Sequence, residues 1–375
     1  MRITRNIIRI LTASVAAALI LTSCGKSYKD QYAYDDDAPS LYEAFSDYFH
    51  IGCAINTWDL VDGSDQQKII LKHFNTLTLE NESKPEGVHP KEDQYNFSSF
   101  DTFVDFCEKN GITARGHTLV WHSQVPQWFF KDGDGDASAE LLLERLHDHI
   151  NTIVTRYKGR VGTWDVVNEV IGDDGQLRFS DWSRIVGDYD GDGDKFDFIE
   201  QAFIWAREAD PDARLIINDY SLESSTDKAI RMYNAVKKML EEGVPIDGVG
   251  FQMHIGNGSD PDQMEENYRI IARLKEINPD FIIEVTELDV NCYGWGQDPK
   301  DVELTDDFLK QFSETYTGTM KMLMKLSDEG LLDSVVFWGL HDGVSWLNNG
   351  HQNYPMLIDK DLKLKHAFYD VIDLV

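Results

Sequence analysis

"TWDVVNEV" (residues 163–170) opens as a buried strand should and closes on two polar groups. Thr163, Trp164, Val166 and Val167 suit a sheet interior, but the run ends on Asn168 and Glu169. A carboxylate does not stay in an apolar interior without partners, so this strand must end at a place that uses charge. Seven more short apolar runs occur along the chain: "IGCAI" (51–55), "TLTLEN" (76–81), "ITARGHTLV" (112–120), "RLIIND" (214–219), "GVGFQMH" (248–254), "FIIEVTELD" (281–289) and "SVVFWGL" (334–340). Amphipathic stretches such as "LLLERLHDHINTIVTRYKG" and "AIRMYNAVKKMLEEG" separate them, and Gly111, Gly159, Pro211 and Gly243 stand where helices should stop. Strands alternating with helices imply a parallel sheet. Eight such repeats predict an α/β fold, a (β/α)8 TIM barrel forming one domain over residues 41–375; an open α/β sheet is the alternative arrangement.

Barrels of this kind carry their sites at the C-terminal ends of the strands. The polar residues fall there: Glu80 and Asn81, His117, Asn168 and Glu169, Asn218 and Asp219, Gln252 and His254, Glu287 and Asp289, Trp338. One carboxylate in such a position reads equally well as a helix cap or an ion-pair partner. Two, Glu169 and Glu287, with amides and histidines on the same rim and no metal-ligand spacing, point to a general acid and a nucleophile. Glycoside hydrolysis needs that pair, one carboxyl to protonate the leaving oxygen and one to meet the developing oxocarbenium ion. Trp121, Trp128, Trp338 and Trp346 follow strands, where sugar rings stack on indole faces, whereas Trp164 and Trp205 read as core.

The formal net charge of −31 repels phosphate backbones and anionic membranes, which argues against a nucleic-acid partner and suits a neutral ligand. Arg2, Arg5 and Arg9 precede an apolar run from Ile10 to Leu21, too short to span a bilayer. The run ends in "LTSCG", which resembles the lipobox of bacterial lipoproteins. That resemblance implies a signal peptide over 1–23, lipidation of Cys24, and an exported protein whose contact with a membrane is through that anchor alone. Residues 24–40 are polar and acidic and read as a flexible tether. Cys53, Cys107 and Cys292 are expected as buried thiols, with one disulfide as the alternative.

Taken together, the motifs "FNTLTLENESKPEG", "RGHTLVWHSQVPQW", "TWDVVNEV", "READPDARLIINDY", "GVGFQMH", "VTELDV", "FWGLHDGVSWL" and "YPMLIDKDLKLKHAFYDV" resemble the family 10 glycoside hydrolases. These are retaining endo-β-1,4-xylanases, and the likeness covers about residues 41–372. It implies that Glu169 is the acid/base and Glu287 the nucleophile, and that Asn168 bonds the 2-OH of the sugar being cleaved. Glu80, Asn81, Lys84, His117, Trp121 and Gln124 would line the glycone subsites. Gln252 and His254 would flank the nucleophile, with Asp289 orienting His254, and Trp338 and Trp346 would roof the glycone side. The implied partner is xylan or xylo-oligosaccharide; no cofactor and no metal are expected, and a monomer is the expected state.

Two features depart from the family pattern. Ser83 and Pro85 flank Lys84, where the family commonly carries Met and then Trp. The segment "GDYDGDGDKFDFIE" (187–200) looks inserted. Its Asp188, Asp190, Asp192 and Gly193 approach a calcium loop, but Glu200 falls one position late, so a solvated acidic loop is the expectation. "KDGDGD" (131–136) is a weaker match still. One rival function keeps the barrel and both glutamates but changes the glycan, a β-1,4-glucanase or a mixed-specificity hydrolase; a second, of another class, is a surface lipoprotein that binds glycan without cutting it. The paired glutamates argue against the second.

Overall fold

The computed structural model describes residues 27–29, 37–294, 298 and 303–375; Cys24 and most of the expected tether lie outside the described residues. Eight parallel strands form the barrel: β1 (His50–Ile55), β2 (Thr76–Leu79), β3 (Thr113–Val120), β4 (Thr163–Asn168), β5 (Arg214–Asp219), β6 (Gly248–Phe251), β7 (Ile282–Asn291) and β8 (Ser334–Phe337), with a short extra strand, His254–Gly256, pairing parallel to the end of β7. Each pairs with its neighbours in chain order. The sheet closes because β8 pairs with β7 (Glu284 opposite Ser334) and with β1 (His50 opposite Ser334). Closure excludes the open sheet and gives the expected (β/α)8 barrel.

Both faces of the sheet are covered, and every residue of β2, β4, β6 and β8 is buried. Helices α1 (Asp65–His73), α2 (Ser98–Asn110), α3 (Ala139–Arg156), α4 (Asp197–Ala209), α5 (Thr226–Glu241), α6 (Pro261–Ala272), α7 (Asp306–Asp328) and α8 (His366–Ile372) form the outer layer. Ser64, Ser138, Ser225 and Thr305 start four of them, each accepting the backbone N–H of the third helical residue. Gly111 ends α2 in the left-handed region at φ 67°, so this expected stop is real. Among the described residues, no helix is long and apolar enough to cross a membrane. Cys53, Cys107 and Cys292 are buried free thiols, and the disulfide alternative falls.

Two interior features explain the remaining letters of "TWDVVNEV". Trp164 is 1% exposed and lies flat against the β3 backbone at Gly116. A Cβ at Gly116 would sit 2.1 Å from Trp164 Cε3, far inside contact distance. Gly116→Ala should therefore cost about 3 kcal/mol or more, through overpacking and a displaced indole, read as a lower midpoint in urea unfolding. Asp165 points into the barrel, where Arg115 ion-pairs with it at 3.0 Å and with Glu284 at 2.7 Å. Burial opposes ionisation of Asp165, yet the Arg115 charge and the His117 hydrogen bond hold its carboxyl below the usual range.

Candidate active site

Strand ends place the polar residues around one cleft of about 1010 Å³ at the C-terminal mouth of the barrel. It is lined by Glu80, Asn81, Lys84, His117, Trp121, Gln124, Asn168, Glu169, Gln252, His254, Glu287, Trp338 and Trp346, together with residues the sequence reading did not name. The backbone turns sharply to achieve this. Gln124, Glu169 and Ser221, all on the cleft, adopt positive φ values of 45°, 58° and 56°, uncommon for residues other than glycine. At Glu169 the turn ends β4 and swings the side chain over the barrel mouth.

Glu287 is 4% exposed and fully engaged. Its Oε1 accepts from Asn218 Nδ2 at 2.7 Å, and its Oε2 lies 3.1 Å from His254 Nε2. Nδ1 of the same ring lies 3.0 Å from Asp289 Oδ2, so the imidazole bridges two carboxylates. Burial disfavours a charged His254, but Asp289 and Glu287 outweigh it and push its pKa well up. Burial likewise raises Glu287, but the His254 hydrogen bond and the charges of His117 and His254 more than reverse this, holding the carboxyl below its ordinary 4.5. Asp289 does not line the cleft; it sits behind His254 and accepts Trp346 Nε1 at 2.8 Å, fixing the ring that meets His254 edge-on.

Glu169 faces the same space from the opposite strands. Gln252 Nε2 donates to Glu169 Oε1 at 3.2 Å and to Asn168 Oδ1 at 3.2 Å, and Asn218 Nδ2 donates to Asn168 Oδ1 at 2.9 Å. A continuous amide relay thus runs from one glutamate to the other. Gln252 was expected beside Glu287 with His254; its contacts are instead with Glu169 and Asn168, because the chain turns at Met253 (φ 57°) and sends the two side chains apart. His122 Nε2 lies 3.9 Å from Glu169 Oε2, and Arg178 Nε donates to the Glu169 carbonyl at 2.6 Å.

A second cluster forms the other wall. Lys84 Nζ donates to Gln124 Oε1 at 2.9 Å and Asn81 Oδ1 at 3.2 Å, and lies over the Trp121 ring at 4.8 Å. Glu80 accepts Asn56 Nδ2 at 2.9 Å. His117 Nδ1 donates to Asp165 Oδ2, 2.8 Å away, and the ring stands edge-on to Trp338. The unusual neighbours of Lys84 have local roles: Ser83 Oγ donates to the His117 carbonyl at 2.5 Å, and Pro85 opens a one-turn helix, Pro85–Val88. Trp121 Nε1 is buried with no protein partner among the described residues, so its N–H is available to a ligand in the cleft.

Trp128 does not line the cleft; it stacks on Phe129 with centroids 3.9 Å apart and donates to the His89 carbonyl at 3.4 Å. It follows β3 in sequence, but the short 3₁₀ turn Gln127–Phe130 faces it into the packing against α3. Trp205 packs against the core only in part, edge-on to His147. The reading also missed Asn218 as a partner of Glu287, and Arg178, Tyr220 and Asp173, which link across one end of the cleft. Arg178 donates to the Tyr220 hydroxyl at 2.7 Å, and that hydroxyl donates to Asp173.

Asp289→Asn tests the charge relay. Glu287 loses its hold on the proton-rich His254, so its pKa rises, and the fall in kcat/KM on acidification should begin roughly one pH unit higher. The pH profile on an activated aryl glycoside measures this; an unmoved acid limb would show that Asp289 does not act through His254.

Comparison with known proteins places this architecture. The family described as glycosyl hydrolase family 10 matches residues 40–374. Endo-1,4-beta-xylanase C of Paenibacillus barcinonensis is 41% identical over 353 residues, covering 91% of this chain. The chain spans only 32% of that relative's own length. The solved GH10 structure from Paenibacillus barcinonensis superposes with a TM-score of 0.86 at 41% identity, covering 90% of this chain and 98% of the other. A mutant of the intracellular xylanase from Thermoanaerobacterium saccharolyticum, solved in complex with xylotriose, gives a TM-score of 0.81 at 38% identity, covering 90% and 99%. With a closed barrel, two glutamates on its mouth and a match over nearly all of the described residues, this chain belongs to glycosyl hydrolase family 10.

Proposed function

We propose that the protein is a retaining endo-β-1,4-xylanase. The observation that carries this reading is the asymmetric pair on one cleft: Glu287 held ionised by His254, and Glu169 joined to it only through the Gln252–Asn168–Asn218 amides. Glu287 attacks the anomeric carbon while Glu169 protonates the departing glycosidic oxygen, giving a covalent glycosyl-enzyme. Glu169 then takes a proton from water, which attacks the same carbon and frees the sugar with its original β configuration. Asn168 spends its carbonyl on two protein donors, which leaves its NH₂ for a sugar hydroxyl. Lys84, Gln124, Asn81 and Glu80 offer a polar floor for a glycone sugar, with Trp121 and Trp338 beside it. The xylanase name and the xylotriose complex among the relatives support xylan as the polymer.

Reducing-end assays on xylan and on carboxymethyl cellulose test the substrate. Release from xylan alone is the expected result. Comparable release from carboxymethyl cellulose makes the enzyme a glucanase, and release from neither makes it a binder.

We further propose that the protein is anchored by lipid at Cys24, on the strength of "LTSC" following a basic and then an apolar segment. Cys24→Ser should move the protein from the detergent phase to the aqueous phase while leaving xylan hydrolysis unchanged. Wild-type protein that partitions into water contradicts the anchor.

A further inference from the structure

Six acidic residues lie between Asp188 and Glu200, in the connection from the short helix Asp181–Val186 to α4. Lys238 of α5 neutralises two of them, reaching Asp192 at 2.7 Å and also Asp194. Asp188, Asp190 and Asp197 have no such partner among the described residues, yet one carboxylate oxygen of each lies within 4.8 Å of the other two. Crowding three carboxylates without a cation is costly, more so in a chain already strongly acidic.

Asp197 distinguishes this site from a solvated acidic cluster. It is 5% exposed, and only Oδ1 is satisfied, by the Asp190 backbone N–H at 2.9 Å. Its Oδ2 is buried with no hydrogen-bond partner. A buried carboxylate oxygen without a donor, beside two further carboxylates, is a group that wants a metal rather than another amide. The spacing fits. Oxygens around a calcium ion stand about 2.3–2.6 Å from it, so opposite ligands are about 5 Å apart, whereas magnesium draws its shell tighter. An all-oxygen, all-carboxylate set excludes the softer metals by ligand type.

We propose that Asp188, Asp190 and Asp197 form a calcium site, with water and loop carbonyls completing the shell. The sequence argues for a solvated loop because Glu200 falls one position late for the closing ligand. In the fold Glu200 is not part of the cluster, and Asp197, at the first position of α4, takes that place. The site pins the start of α4. The next residue, Phe198, stacks on Trp182 at 6.3 Å, and Trp182 Nε1 donates to the Trp121 carbonyl at 2.9 Å on the cleft wall. Calcium here is therefore a structural brace behind the cleft, outside the chemistry.

The test is calorimetric titration of the chelator-treated full chain with calcium chloride, paired with thermal melting. One calcium per chain and a melting temperature raised by several degrees are expected, with magnesium chloride binding more weakly. Asp188→Asn and Asp190→Asn, both at exposed positions away from the cleft, should each weaken calcium binding about tenfold or more and leave xylan hydrolysis at moderate temperature unchanged. No binding heat and no melting shift in millimolar calcium chloride overturns the site. Wild-type calcium affinity in the Asp188→Asn/Asp190→Asn double variant overturns it as well.

Discussion

Glu287→Ala should lose activity on every glycoside, polymer or activated aryl substrate alike, by on the order of 10⁵-fold in kcat. The groups that touch this carboxylate cannot replace it. Its neighbours are Asn218, a donor, and His254, a cation, and neither supplies an anion to meet the anomeric carbon. Removing the side chain also leaves His254 with one carboxylate partner instead of two, so the ring loses part of the field that keeps it charged. An unchanged melting profile would separate lost chemistry from lost folding. Substantial activity on any substrate would show that a covalent glycosyl-enzyme at Glu287 is not the route.

Glu169→Ala should fail differently. Hydrolysis of xylan, whose leaving oxygen needs a proton, should fall by about 10³- to 10⁴-fold. Dinitrophenyl xylobioside departs without protonation, so the first step should survive and the glycosyl-enzyme should accumulate as a burst. Its breakdown is then slow, because no base activates water. Azide needs no base; it should speed turnover and yield the β-configured glycosyl azide. An α-azide would mean that the two glutamates have the opposite roles or that the enzyme inverts. In a liganded crystal, the two carboxyl groups should stand about 5–5.5 Å apart, since an inverting pair needs about 6.5–9.5 Å to admit water.

The barrel was legible because its signals are local and repeated. β4 carries Trp164, Val166 and Val167 because it is buried on both faces, and Gly111, Gly159 and Gly243 mark helix ends with positive φ. The rim was legible for a related reason: a polar residue directly after an apolar run has nowhere to go but the strand end, which put Glu169 and Glu287 on one cleft.

Direction and distant pairing were not legible. Trp128 and Trp121 follow the same strand, yet one packs inward against Phe129 and the other lines the cleft, and sequence order does not distinguish them. Arg115 meets Glu284 across 169 positions, a partnership no local pattern announces. Gln252 and His254 sit two apart and reach different glutamates because Met253 takes a left-handed turn. Asn218 was visible as a polar strand end, but its hydrogen bond to Glu287 depends on β5 and β7 flanking β6 in the closed sheet. Asp197 was passed over for Glu200 because the calcium-loop spacing assumes a loop, and here the helix begins first.

The most direct test of the central claim is to trap the intermediate. A 2-deoxy-2-fluoro-xylobioside with a dinitrophenyl leaving group forms the glycosyl-enzyme quickly and releases it slowly, because fluorine at C2 destabilises the oxocarbenium-like transition state of the second step. Peptide mass mapping of the inactivated protein should find the fluoroxylobiosyl group on Glu287 and nowhere else. A label on Glu169 or on any other residue, or full turnover with no covalent adduct, would contradict the account.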